Sequence, residues 1–141
     1  MGHKTDAVRE LPEWVVVRIS NIVTACFMLS ALAVGLVETF YSAMGTEHLL
    51  QEPDMIHMLW GQAMIGFAVI AILGEWFNRM RVSAFGLLGV AGAYMIFTLA
   101  GVVDHFERGM PELTLLIMTF TLGFMYLIMG THRVSTAYYK E

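Results

Sequence analysis

The stretch from residue 19 to residue 37, ISNIVTACFMLSALAVGLV, holds no charged side chain in 19 positions. As a helix it extends about 28 Å, close to the ~30 Å hydrocarbon thickness of a bilayer. Arg18 stands immediately before it and Glu38 immediately after it. Three more stretches share this character: 58–74, 83–103 and 113–131, of 17, 21 and 19 residues. Isolated glycines do not break the pattern, because Gly is common in membrane helices. The strands of a membrane β-barrel would alternate apolar and polar residues over about ten positions, and these stretches do not.

The 141-residue chain is 57% hydrophobic and 14% charged. Soluble domains carry about 25% charged residues, so the deficit agrees with an all-α integral membrane protein. The sequence predicts four transmembrane helices, at about 14–42, 54–77, 82–105 and 112–132. The first apolar run exceeds the roughly 7–15 residues of a signal-peptide core and follows a long polar leader, so a retained span is expected. No repeat or linker divides residues 1–141, which read as one transmembrane domain. Short turns such as GEWFNRMRVS (74–83) and DHFERGMPE (104–112) make sequential helices antiparallel neighbours, an up-down-up-down bundle. Cys26, the single cysteine, sits mid-span as a small apolar filler.

Charge gives the expected orientation. Lys4, Arg9, Arg18, Arg79, Arg81, Arg133 and Lys140 fall on the arm, the middle turn and the tail, and Arg108 stands alone on the other side. This positive-inside pattern predicts cytoplasmic termini. In a bacterial inner membrane the 1–2 and 3–4 loops then face the periplasm. No basic patch with interleaved aromatics suggests nucleic-acid binding.

The outer side gathers seven acids and three of the five histidines. The stretch QEPDMIHMLWGQ (51–62) opens the second span with Asp54 and His57, which share a helix face at three-residue spacing. His105 ends the third span and Glu38 the first, so all are expected near one level. Imidazoles and carboxylates from three helices suit a transition metal, with Glu38, Asp54, His57 and His105 as the candidate ligands. Met44, Met55, Met58 and Met110 in the same layer would suit copper(I). Haem b fits less well, because His105 lies at the very end of its helix rather than inside the bilayer.

A plainer account competes with this one. Wet helix ends collect polar residues, Asp54 complements a helix dipole, and Asp104 with Arg108 makes an ordinary four-apart ion pair. No HxxxH, HExxH or CxxC spacing occurs. Glu75 is expected to pair with Arg79 at the surface, and Asn21, Thr24, Ser30 and Gln62 to bridge helices. The small residues Gly86, Gly89, Gly92, Ala93, Ala100 and Gly101 invite close approach by a neighbouring helix or another subunit. No charge lies mid-span, which disfavours a channel or transporter.

The functional expectation is a small, non-catalytic subunit of a larger redox or energy-transducing membrane complex, with a copper-dependent monooxygenase type among the candidates. A metal- or haem-binding protein in its own right is the alternative. Partners are then the bilayer and other membrane subunits or copies of the chain. A thiol-labelling test reads the orientation: cysteines at Thr5 and Ser135 should resist an impermeant reagent in intact cells, and one at Gln51 should react. The reverse pattern overturns the sidedness.

Overall fold

The computed structural model describes residues 12–44, 55–108 and 113–140; within them, the side chains of 41–44, 55–57, 104, 105, 107, 108, 115 and 140 fall outside the description. The described chain is all-helical: α1 Glu13–Met44, α2 Met55–Trp76, α3 Met80–Arg108 and α4 Leu113–Lys140. Among the described residues, three helices are long and apolar enough to cross a membrane, within Glu13–Phe40, Met58–Trp76 and Met80–Val103. The 1–2 loop, where the sequence allows a short interfacial helix at 47–51 and Pro53 suits the first turn of the second span, lies outside the described residues.

Packing follows chain order, α1 on α2, α2 on α3 and α3 on α4. The α2–α3 contact is the tightest. A Cβ on Gly74 would collide with the backbone of Ser83, and one on Gly86 with the backbone of Ala71. One turn further along, Gly89 receives the ring of Phe67. The pairs 74/83, 71/86 and 67/89 run in opposite directions along the two chains, so the helices are antiparallel. At the α1–α2 contact, a Cβ on Gly35 would stand 2.8 Å from the carbonyl oxygen of Gly61. Gly101, Gly123 and Gly130 take Leu116, Tyr94 and Leu88 across the α3–α4 contact. The small residues of α3 thus serve mainly internal packing, whereas a Cβ on Gly92 would meet nothing.

The α2–α3 turn is closed by the backbone. Asn78 adopts φ 54°, a left-handed conformation that Asn tolerates better than most residues. The N–H of Asn78 donates to Glu75 O at 3.0 Å and that of Arg79 to Gly74 O at 2.7 Å, the two bonds of a Schellman cap. The turn is therefore three residues long, and α3 begins at Met80 rather than near 82.

The C-terminal helix departs most from expectation. It continues to Lys140 instead of ending near 132. No Gly or Pro follows Thr131 to stop it, and the extension is amphipathic: Arg133 and Ala137, four apart, are both buried. Arg81 lies over the ring of Tyr138, 5.7 Å from its centroid, which ties the extension to α3.

The core comprises Met28 and Ala31 of α1, Met64, Ala68 and Ala71 of α2, Leu87, Val90 and Tyr94 of α3, and Tyr126 of α4. Large apolar side chains such as Leu29, Phe40, Leu59, Ile96, Ile117 and Phe124 point outward instead. An outward apolar shell around a core of small residues is the arrangement of a bundle solvated by lipid.

Glycine substitutions separate the two faces of α3. Gly86→Val should lower the thermal unfolding midpoint in detergent, since overpacking costs ~1–3 kcal/mol and backbone cannot yield as a side chain can. Gly92→Ala should stay within ~0.5 kcal/mol of the parent. Equal melting of the two variants would contradict the α2–α3 contact.

Candidate functional site

The polar groups of the described interior form two clusters, one at the end of the bundle that holds the α2–α3 turn and one nearer the middle of the helices. At the turn end, Arg133 of α4 is only 7% exposed. Its Nε lies 3.4 Å from Glu75 Oε1 of α2, and an Nη donates to Asn21 Oδ1 of α1 at 3.3 Å. Ser83 Oγ of α3 donates to the same Glu75 oxygen at 2.8 Å. All four helices therefore contribute one side chain to a single charged lock. Glu75 engages Arg133 rather than the expected Arg79, because the turn at Asn78 carries Arg79 to the surface, where it is exposed. The Glu75 side chain remains 34% exposed, so its charge is partly hydrated.

The second cluster is aromatic. Phe27 of α1 meets Tyr126 of α4 edge to face at 5.2 Å, and Tyr126 stacks on Tyr94 of α3 at 5.6 Å. Tyr94 meets Trp60 of α2 at 5.7 Å, and Trp60 lies against Phe97 at 4.5 Å. The ladder again crosses all four helices. Two of its polar tips have partners: Tyr126 Oη donates to Phe27 O at 2.5 Å and lies 2.9 Å from Ser30 Oγ, and Trp60 Nε1 donates to Ala93 O at 2.8 Å. Thr98 Oγ1 bonds Thr119 Oγ1 at 2.9 Å, joining α3 to α4. The bridging expected of Asn21 and Ser30 is present. Thr24 instead donates to Ser20 O within its own helix, and Gln62 is exposed.

The candidate metal ligands are placed unevenly. Glu38 is half-buried on α1, within electrostatic reach of Tyr94. Asp54 lies outside the described residues. His57 sits in the first turn of α2 and His105 near the end of α3, with their side chains outside the description. Backbone register separates the two histidines. Extending the 74/83 and 71/86 backbone pairs places His57 level with about Ala100, and His105 roughly five residues, about 8 Å, further along α3. Among the described residues, no group of three or more His, Cys, Asp or Glu is placed to hold a metal ion.

No family model, no characterised protein and no solved structure matches this chain. What the chain does must be argued from its own geometry.

Sequence reasoning missed the charged lock. Arg133 lies two residues past an apolar span, where a basic residue reads as a snorkelling anchor. The available signal was the absence of any helix stop after Thr131, which keeps Arg133 on the helix face that Tyr126 and Met129 share at three- and four-residue spacing.

The lock makes a stability prediction. Removing one member of a fully buried pair costs ~3–5 kcal/mol, and partial hydration of Glu75 reduces that towards ~1–2 kcal/mol. Glu75→Ala should melt correspondingly lower in detergent, and adding Arg133→Met should recover most of the loss by removing the stranded charge. A Glu75→Ala protein as stable as the parent would show that the pair does not tie the bundle together. Tyr126→Phe should cost ~0.5–1.5 kcal/mol, the net worth of its hydrogen bonding, with the ring stack retained.

Proposed function

We propose that this chain is a four-span integral membrane protein with cytoplasmic termini, serving as a non-catalytic subunit of a larger membrane complex. The observation that carries the reading is that most of the described interior polar side chains are already bonded within the bundle. Tyr126, Trp60, Thr98 and Thr119 bond within the bundle, and Arg133 bonds Glu75 and Asn21. A transport path needs polar groups free to meet a moving ion or solute. The described interior offers a braced frame instead.

Two features support α4 as the fourth span and the inward orientation. Residues 113–131 carry no charge, and seven of the eight Lys and Arg lie on one side. A subunit role is further supported by the outer wall of α2 and α3. There a cleft of about 490 Å³ runs between Trp60, Phe67, Gly92, Ala93, Ile96 and Phe97, unfilled by the side chains of the described residues. The acid- and histidine-rich outer side fits a redox or energy-transducing complex, in which it would border a partner's metal or cofactor.

The test is an inventory of what travels with the full chain in mild detergent. Mass spectrometry should find other membrane chains at stoichiometric level, and elemental analysis with an absorbance spectrum should find no metal or haem on the isolated chain. A monodisperse chain without partners removes the subunit reading. Stoichiometric metal lost on His57→Ala would establish the metal-protein alternative in its place.

A further inference from the structure

The bundle's four seams are not alike. α1–α2, α2–α3 and α3–α4 are close-packed, but α1 and α4 are joined by long side chains, Tyr126 reaching Phe27 and Ser30, and Arg133 reaching Asn21. Between these two bridges a cleft of about 220 Å³ remains open. Its walls are Ser20, Val23 and Thr24 of α1 and Met129, His132 and Arg133 of α4.

The cleft has a polarity gradient along the helix axes. Ser20, His132 and Arg133 stand at its inner mouth. Val23, Ile128 and Met129 lie about one turn deeper, roughly 5 Å along either helix, beside Thr24, whose hydroxyl is already given to Ser20 O. A polar mouth over an apolar floor matches a lipid headgroup followed by its acyl chain. It does not match a wholly polar or a wholly apolar ligand.

The mouth also carries donors suited to a phosphate. A guanidinium has five N–H groups in a planar fork, and the described bonds engage Nε and one Nη of Arg133. Glu75 and Asn21 hold the fork in place, so little rotamer entropy is lost when an anion arrives. His132 is exposed beside it, and Arg18 lines an adjoining depression with Asn21. The acids nearby are Glu75, already bonded to Arg133 and Ser83, and Glu13, further out along α1. The inner side as a whole carries seven Lys and Arg against five acids, which favours an anionic headgroup over a zwitterionic one.

We propose that the α1–α4 seam binds one anionic phospholipid of the inner leaflet. Arg133, with His132 and Ser20, holds the phosphate, and an acyl chain lies along Val23, Ile128 and Met129. The leaflet assignment rests on the orientation proposed above; the site itself does not. The bound lipid completes the wall that α1 and α4 leave open.

The experiment uses the full chain, stripped of lipid in detergent and titrated with phosphatidylglycerol, phosphatidylcholine or inorganic phosphate. Native mass spectrometry and the thermal midpoint are the readouts. Phosphatidylglycerol should bind at one per chain and raise the midpoint, whereas phosphatidylcholine and inorganic phosphate should do neither. Arg133→Lys keeps the charge beside Glu75 but loses the fork, and should weaken binding roughly tenfold, the scale of one charge-assisted hydrogen bond. Ser20→Leu fills the mouth without touching the ion pair. It should abolish lipid binding while the lipid-free midpoint stays at the parent value. Equal binding of the two lipids, an equal response to inorganic phosphate, or a Ser20→Leu protein that still binds would each overturn the site. Detergent binding is blind to sidedness, so reversed thiol labelling with selective lipid binding would refute the orientation and leave the seam site standing.

Discussion

Backbone contact between α2 and α3 sets the geometry on which everything else depends. Gly74 lies on Ser83 and Gly86 on Ala71 with no side chain between them, so the hairpin has one permitted spacing and one permitted register. That register brings Trp60 Nε1 to Ala93 O and sets Ser83 Oγ on Glu75. It also turns Tyr94 towards α4, where Tyr126 can stack on it. α1 and α4 are then fitted to a preformed pair.

Hydrophobic burial cannot drive such a fit in lipid, because lipid tails are as apolar as the side chains that would be buried. What remains is close packing and the satisfaction of polar groups. The chain uses the two in different places. Small residues give close approach along the α2–α3 and α1–α2 contacts. An indole N–H adds a bond within the α2–α3 pair, and hydroxyls and the Glu75–Arg133 ion pair then fix the angle at which α1 and α4 lie against it. An orphaned polar group at that depth costs several kcal/mol, so a misplaced helix is penalised more heavily by its polar members than by lost packing.

Much of the fold was legible in the sequence, because span length and charge-free runs are set by bilayer thickness and by little else. The number of helices, their order and their short connections follow directly. The small-residue pattern of α3 announced close packing, but periodicity alone did not separate Gly86, which meets Ala71, from Gly92, which faces outward. The charged lock was not legible. Glu75 with Arg79 and Glu75 with Arg133 are equally good pairs on paper, and the choice is made by the cap at Asn78, which turns Arg79 away. The outer layer was legible only as composition. The side chains of His57 and His105, on which any convergence there depends, lie outside the described residues.

The ion pair between Glu75 and Arg133 also carries a temporal consequence. Chains are made from the N-terminus, so Glu75 reaches the membrane boundary well before Arg133 exists. Glu75 can wait there, since a third of its side chain still touches the surroundings in the finished protein. Arg133 has no such latitude: its buried position acquires a counter-ion only once α2 is in place. The seating of α4 therefore depends on α1, α2 and α3, and the ion pair acts as a check that those three have been assembled.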